Sequence, residues 1–109
     1  MGSSSNGHTI MLYQLQKAQG SRTWESHDTI SAAMDALCAR FEKLLKERSP
    51  NVRNITYDVS DLFGYIDSLY DISALVLDEE LSAYIPCDRK WIQNKALQHL
   101  KQMAAPRGR

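Results

Sequence analysis

The stretch "HTIMLYQLQ", residues 8–16, constrains the fold most strongly. It is rich in β-formers and too short for a helix, so it predicts a strand. Side chains along a strand alternate between two faces, and here both faces are apolar. Ile10 and Leu12 point one way, Met11 and Tyr13 the other. A second run, "DISALVLD" at 71–78, repeats the pattern, with Ile72, Ala74 and Val76 set against Leu75 and Leu77. An antiparallel sheet with one face in water alternates apolar with polar residues. A sheet holding these two strands therefore needs cover on both faces.

The rest of the chain supplies cover for one. "KAQGS" makes a turn, after which "RTWES" (22–26) returns as a short strand. A helix follows, its cap assigned to Asp28 with Thr29 as the alternative. Ile30, Met34, Leu37, Phe41 and Leu44/Leu45 form its apolar stripe, with Asp35, Ala39, Glu42 and Lys46 opposite. Ser49-Pro50 ends it, because the residue before proline avoids the α region. After "DISALVLD", a tight acidic turn at Asp78-Glu79-Glu80 leads into a fourth strand, "LSAYIP" (81–86). Asp88 caps a last helix that buries Trp91, Ile92, Ala96, Leu100 and Met103.

Between the first helix and the third strand lies "NITYDVSDLFGYIDSLYDIS", with four aspartates that invite a metal or acid/base reading. Helical spacing at about 100° per residue answers it. Leu62, Tyr65, Ile66, Leu69 and Tyr70 fall on one side; Asp61, Gly64, Asp67, Ser68 and Asp71 fall on the other. Asp58 precedes the run by three residues, the place of a cap, and acidic groups in a first turn suit the positive end of the helix dipole. Asp61 and Asp71 share a face yet stand about 15 Å apart along a helix. Carboxylates without histidine or a glycine-rich calcium loop are a weak metal signature. The aspartates read as a cap and a solvated face.

The order ββααββα places the chain in the α+β class, with a four-stranded antiparallel sheet. Three one-sided helices cover one sheet face. The other would expose a contiguous apolar patch, which soluble monomers rarely tolerate. The sheet is therefore expected to dimerise through that face as a C2 pair, burying about 800 Å² per copy. The alternative is that the first helix and loops cover both faces within one chain.

At 109 residues there is room for one domain, expected over 8–103. Residues 1–7, "MGSSSNG", read as a disordered leader and 104–109 as a flexible basic tail. Gly2 is a poor myristoylation site, because that motif wants Ser or Thr where Asn6 stands. No apolar run approaches the ~20 residues of a membrane span. Cys38 and Cys87 have no metal or redox spacing and read as reduced intracellular thiols.

Thirteen basic and thirteen acidic residues cancel, so no net field draws nucleic acid or membrane. The charge is nonetheless segregated: seven acidic and no basic residues over Asp58–Glu80, against six basic and one acidic over Asp88–Arg109. Arg89, Lys90, Lys95, Lys101, Arg107 and Arg109 make weak phosphate contact conceivable, but no RNP-type strand or base-reading helix accompanies them. His8, His27 and His99 sit in three different elements without ligand spacing. No nucleophile elbow, phosphate loop or dinucleotide fingerprint occurs. No catalytic residue, metal ligand or cofactor is therefore expected. Trp24, Tyr57, Tyr65, Tyr70 and Tyr84 are of the kind that anchors interfaces, whereas Trp91 is assigned to the core. Gly64 on a helix face costs about 1 kcal/mol relative to alanine.

"HTI" at 8–10, "RTW" at 22–24, "NITYDVSDLFGYIDSLYDISALV" at 54–76 and "YIPCDRKWI" at 84–92 together resemble the enhancer of rudimentary homologue family, essentially ungapped from His8 to about Met103. The resemblance implies the same sheet with three helices on one face and dimerisation through the other. It assigns Ile10, Leu12, Leu75 and Tyr84 to the dimer interface and leaves Tyr13, Trp24, Tyr65 and Tyr70 as partner-docking candidates. It implies a nuclear adaptor, with a cytoplasmic share admitted, that is not an enzyme and carries no cofactor. Its partners would be itself and short segments of RNA-binding or RNA-processing proteins in splicing, RNA decay and small-RNA maturation. RNA would be touched only indirectly, and membranes not at all. Looser links run to the cell cycle and pyrimidine metabolism. The sequence departs from the family at Cys87, usually aromatic, at Leu77, usually tyrosine, and at Tyr13 and Tyr70, usually smaller. Of the acidophilic-kinase sites common in the family, only Ser68, with Asp71 three residues on, fits. The alternative function is direct, weak RNA binding by the basic C-terminal helix.

Overall fold

A computed structural model describes residues 7–53 and 55–104. Seven elements follow one another: β1 (Thr9–Gln14), β2 (Arg22–His27), α1 (Ile30–Arg48), α2 (Val59–Ser68), β3 (Asp71–Asp78), β4 (Ala83–Cys87) and α3 (Arg89–Ala104). A short 3-10 turn at Gln19–Ser21 joins β1 to β2. The order is ββααββα and every strand pair is antiparallel, the α+β sheet expected from the pattern. Strands lie in the order β2-β1-β3-β4, so the two doubly apolar strands are the central ones.

Register decides which side chains share a face. Ile10 stands opposite Ser26 and Leu75, Leu12 opposite Trp24 and Ser73, and Leu77 opposite Tyr84. The other set, Met11, Tyr13, Ile72, Ala74 and Val76, is buried beneath the helices. There it meets Ala33, Met34, Leu37 and Phe41 of α1, Leu62 and Ile66 of α2, and Ile92 and Ala96 of α3. α1 packs on β1 and β2, α3 on β3, and α3 also touches both other helices. All three helices thus lie on one side of the sheet. Each contributes one stripe, as their three- and four-residue spacing requires.

Several local expectations need correction. The cap of α1 is Thr29, not Asp28: Thr29 has an extended backbone and its Oγ1 accepts from the N–H of Ala32 at 3.0 Å. Asp28 lies one residue too early for that bond. α2 stops at Ser68, so Leu69 turns into the core while Tyr70 leaves the apolar side and stands 54% exposed. The third turn is wider than the acidic triplet. It runs over 79–82, closed by the Asp78 carboxylate accepting from Leu81 N–H at 3.1 Å, and Ser82 takes a positive φ of 50°. On α3, Met103 is 57% exposed and His99 is buried in its stead, its Nε2 2.6 Å from Asp35 Oδ1 on α1.

The leader expected at 1–7 lies outside the described residues up to Asn6; Gly7, at its end, is buried and its carbonyl accepts from Thr9 Oγ1. The tail expected at 104–109 lies outside them beyond Ala104, which closes α3.

The outward sheet face and the candidate docking residues

The face turned away from the helices carries His8, Ile10, Leu12 and Gln14 from β1 and the residue before it, and Arg22, Trp24 and Ser26 from β2. β3 adds Asp71, Ser73, Leu75 and Leu77, and β4 adds Tyr84 and Pro86. The four residues assigned to a dimer interface, Ile10, Leu12, Leu75 and Tyr84, therefore share one face across three adjacent strands. Among the described residues no helix covers them. Ile10, Leu12 and Leu75 are half-buried by their neighbours, while Trp24 projects from the same face at 65% exposure. Among the strand residues of this face, the charged ones, Arg22 and Asp71, lie at one end. There Arg22 Nε donates to Gln14 Oε1 at 3.1 Å, and Arg22, Asp71, Trp24 and Leu12 line a shallow hollow of about 310 Å³.

The four docking candidates do not converge. Tyr13 is a core residue at 2% exposure and cannot meet a partner. Its alternation with Leu12 turns it inward, where the Arg40 guanidinium covers its ring at 4.2 Å and is itself bound to Glu25 of β2 at 2.9 Å. Burial, with Glu25 nearby, pushes its phenol far above the ordinary range. Trp24 belongs to the outward face. Tyr65 lies on the opposite side of the molecule, stacked on Phe41 with ring centroids 5.1 Å apart, in a groove of about 400 Å³ between α1 and α2. Tyr70 is exposed at the corner between α2 and β3. Gly64 opens onto the α1–α2 groove; a Cβ there would meet nothing within 4 Å.

The aspartates of the α2 region are engaged in capping and in contacts between elements. Asp58 Oδ1 accepts from the N–H of Asp61 at 3.0 Å, and Asp61 Oδ2 accepts from the N–H of Asp58 at 3.0 Å, a reciprocal capping box. That backbone donor, with the Ser60 hydroxyl, holds the Asp58 carboxyl below the usual carboxylate range. Asp67 accepts from Gln93 of α3 at 2.9 Å, and Asp71 opens β3. Asp88 caps α3 by accepting from Trp91 N–H at 2.9 Å. Among the described residues no group of three or more His, Cys, Asp or Glu side chains is placed to hold a metal, and no helix is long and apolar enough to cross a membrane. Burial raises both the Cys38 and the Cys87 thiol, Asp88 adding to the latter, so neither is poised as a thiolate nucleophile.

Two arrangements were not legible in the sequence. Arg89, counted there as one of six loose basic residues, donates to four backbone carbonyls: Ile66, Asp67, Leu69 and Tyr70, at 3.0 to 3.2 Å. It satisfies the open end of α2 and pins the corner that displays Tyr70. His8 reaches hydroxyls on both flanking edges of the sheet. Neither contact has a local signal, since the partners lie 18 to 76 residues away in sequence.

The family model described as enhancer of rudimentary matches residues 5–106. The enhancer of rudimentary homolog of Arabidopsis thaliana is 48% identical over 101 residues, spanning 93% of each chain. That of Dictyostelium discoideum is 41% identical over 89% of this chain and 97% of its own length. The protein enhancer of rudimentary of Drosophila virilis is 39% identical over 89% of this chain and 93% of its own. With the family model matching residues 5–106, a range that spans every described residue, the chain belongs to the enhancer of rudimentary family.

Proposed function

We propose that this protein is a small, non-enzymatic adaptor that pairs with a second copy of itself through the outward sheet face. The paired body then holds short segments of RNA-binding or RNA-processing proteins, in the nucleus. One observation carries the reading: Ile10, Leu12, Leu75, Leu77 and Tyr84 form a continuous apolar surface on a sheet whose helices all lie on the other side. A patch of that kind on a soluble chain calls for a partner, and a two-fold pair covers it with its own complement. Two copies of one docking surface raise the avidity for a bivalent partner through effective concentration, with no reactive group required. Family membership supports the class of partner; Trp24 and Tyr70 are the exposed aromatic anchors available to it.

Direct RNA binding by α3 is less favoured. Arg89 is engaged by backbone carbonyls, and Lys95 lies 5.6 Å above the Trp91 ring. The basic end then presents fewer free cations to phosphate than its sequence suggests.

Affinity purification of the wild-type chain beside Ile10→Arg/Leu12→Arg, with mass spectrometry of the retained proteins, tests the reading. RNA-processing proteins retained by the wild type and depleted from the double variant are expected. Equal retention of the same proteins by both would separate docking from pairing and overturn the proposed mechanism. Retention of RNA alone, weakened by salt, would favour the alternative.

A further inference from the structure

The two flanks of β1 on the outward face are complementary to one another. Register sets Arg22 of β2 and Asp71 of β3 on either side of Gln14. In the same way Trp24 and Ser73 flank Leu12, and Ser26 and Leu75 flank Ile10. At each level the two strands differ in kind: a cation against an anion, a large ring against a small hydroxyl, a small hydroxyl against an apolar side chain.

Within one chain these residues do not meet. β2 and β3 stand about 10 Å apart with β1 between them. No ion pair joins Arg22 to Asp71 among the described residues, although both are exposed. Arg22 gives only its Nε to Gln14, and the Asp71 carboxylate has no partner among those residues. Trp24 projects from the face, and between it and Ser73 lies the hollow of about 310 Å³, lined also by Leu12 and Gln14.

A two-fold axis that pairs two sheets face to face lies in the plane between them. Resting on the reading that this face meets a second copy, we infer that the axis runs along β1. Each β2 residue then lies over the β3 residue of the same level in the other copy. Arg22 of each copy meets Asp71 of the other, and Trp24 of each enters the hollow beside Ser73 of the other. Ile10 and Leu12 stack on their own counterparts along the axis, and β4 forms the margin of the contact. One symmetry operation thus yields two ion pairs and two inserted rings. Trp24 serves the pairing rather than a third protein.

The other aligned arrangement, with the axis across the strands, is less well matched. Two further acidic residues are in phase with this face, Asp28 and Glu79, at its far end past the ends of β2 and β3. Glu79 has a contact of its own. An axis across the strands brings Arg22 to Asp28 of the other copy, but it sets Asp71 over Leu77 and Trp24 over Ser26. A carboxylate covered by an apolar side chain is uncompensated. The place beside Ser26 is already taken by the His8 imidazole, its Nε2 2.7 Å from Ser26 Oγ. With the axis along β1, Asp28 stays at the rim, where the chain leaves β2 for α1.

Sedimentation equilibrium of the full chain tests this with Arg22→Glu, Asp71→Arg and an equimolar mixture of the two. Each variant alone sets like charges together twice in its pair, and should dissociate at least about 10-fold more readily than the wild type. The mixture should recover pairing, because each substituted residue then faces an opposite charge. Recovery on mixing requires contact between copies and shows that both variants are folded. Variants that pair as tightly as the wild type would overturn the inference, and so would a mixture no tighter than its parts. Recovery of Arg22→Glu by Asp28→Arg and not by Asp71→Arg would overturn it too, by turning the axis across the strands. Fluorescence supplies a readout without charge changes. In Trp91→Phe, Trp24 is the sole indole, and its emission should shift to the blue as rising protein concentration drives pairing. Emission that stays constant while the mass doubles would contradict the inserted ring. A wild type that sediments as a single chain would instead remove the pairing itself, and this arrangement with it.

Discussion

The two faces of β1 are built from similar material and meet different fates. Met11 and Tyr13 are buried by α1, α2 and α3, whereas Ile10 and Leu12, one residue out of phase, have no helix over them among the described residues. Strand alternation makes the faces equivalent in hydrophobicity; only the connectivity, which sends every helix to the same side, makes them unequal. An apolar residue therefore does not by itself mark a core. The outward face, which no helix covers among the described residues, is where this fold still has apolar surface to bury, and it is where the proposed pairing would begin.

The largest effects should separate the two faces directly. Met11→Ala removes a fully buried side chain and should lower the unfolding free energy by about 3 kcal/mol. Leu12→Ala, measured in protein dilute enough to be unpaired, should cost less than about 1 kcal/mol, because its site is only half enclosed. Urea titrations of both decide this; equal losses would mean that the outward face is as well packed as the inner one. Next in size, Arg89→Met should cost about 2 kcal/mol by stranding the carbonyls at the end of α2. Hydrogen exchange should then rise at the α2–β3 corner and not in β1.

Smaller changes sharpen the account of the helix side. Thr29→Ala should cost about 1 kcal/mol and Asp28→Ala close to nothing, since only the threonine accepts from Ala32. The reverse order of thermal midpoints would restore Asp28 as the cap. Gly64→Ala should stabilise by up to about 1 kcal/mol, because the added methyl has open space and the helix gains propensity. If that variant is more stable yet loses co-purifying proteins, the α1–α2 groove is a docking site as well as an open one.

Much of this was legible because it is periodic. The apolar pattern of residues 10–13 and 72–77 marked both as strands of an antiparallel sheet, and the i, i+3, i+4 spacing of Ile30, Met34, Leu37 and Phe41 gave α1 its buried face. Asp58 was legible as a cap because its partner, Asp61, lies three residues away. What the pattern could not carry were decisions made at a distance or within one residue. Tyr13 has the composition of a docking aromatic, and its burial depends on Arg40 and α1 arriving above it. Asp28 and Thr29 are both good caps, and which one serves is set by where β2 ends. Helical geometry alone carries Tyr70 onto the apolar side of α2, and only the stop at Ser68 frees it. The grip of Arg89 and the bridge of His8 join elements far apart in the chain and leave no local trace.

The central claim is that the outward face meets a second copy, and the mass of the protein in solution tests it most directly. Sedimentation equilibrium at neutral pH and micromolar concentration should give the wild type twice the 12.4 kDa of a single chain. Ile10→Arg/Leu12→Arg should sediment as a single folded chain with unchanged circular dichroism. Equal masses for the two proteins, whether both single or both paired, would contradict the account.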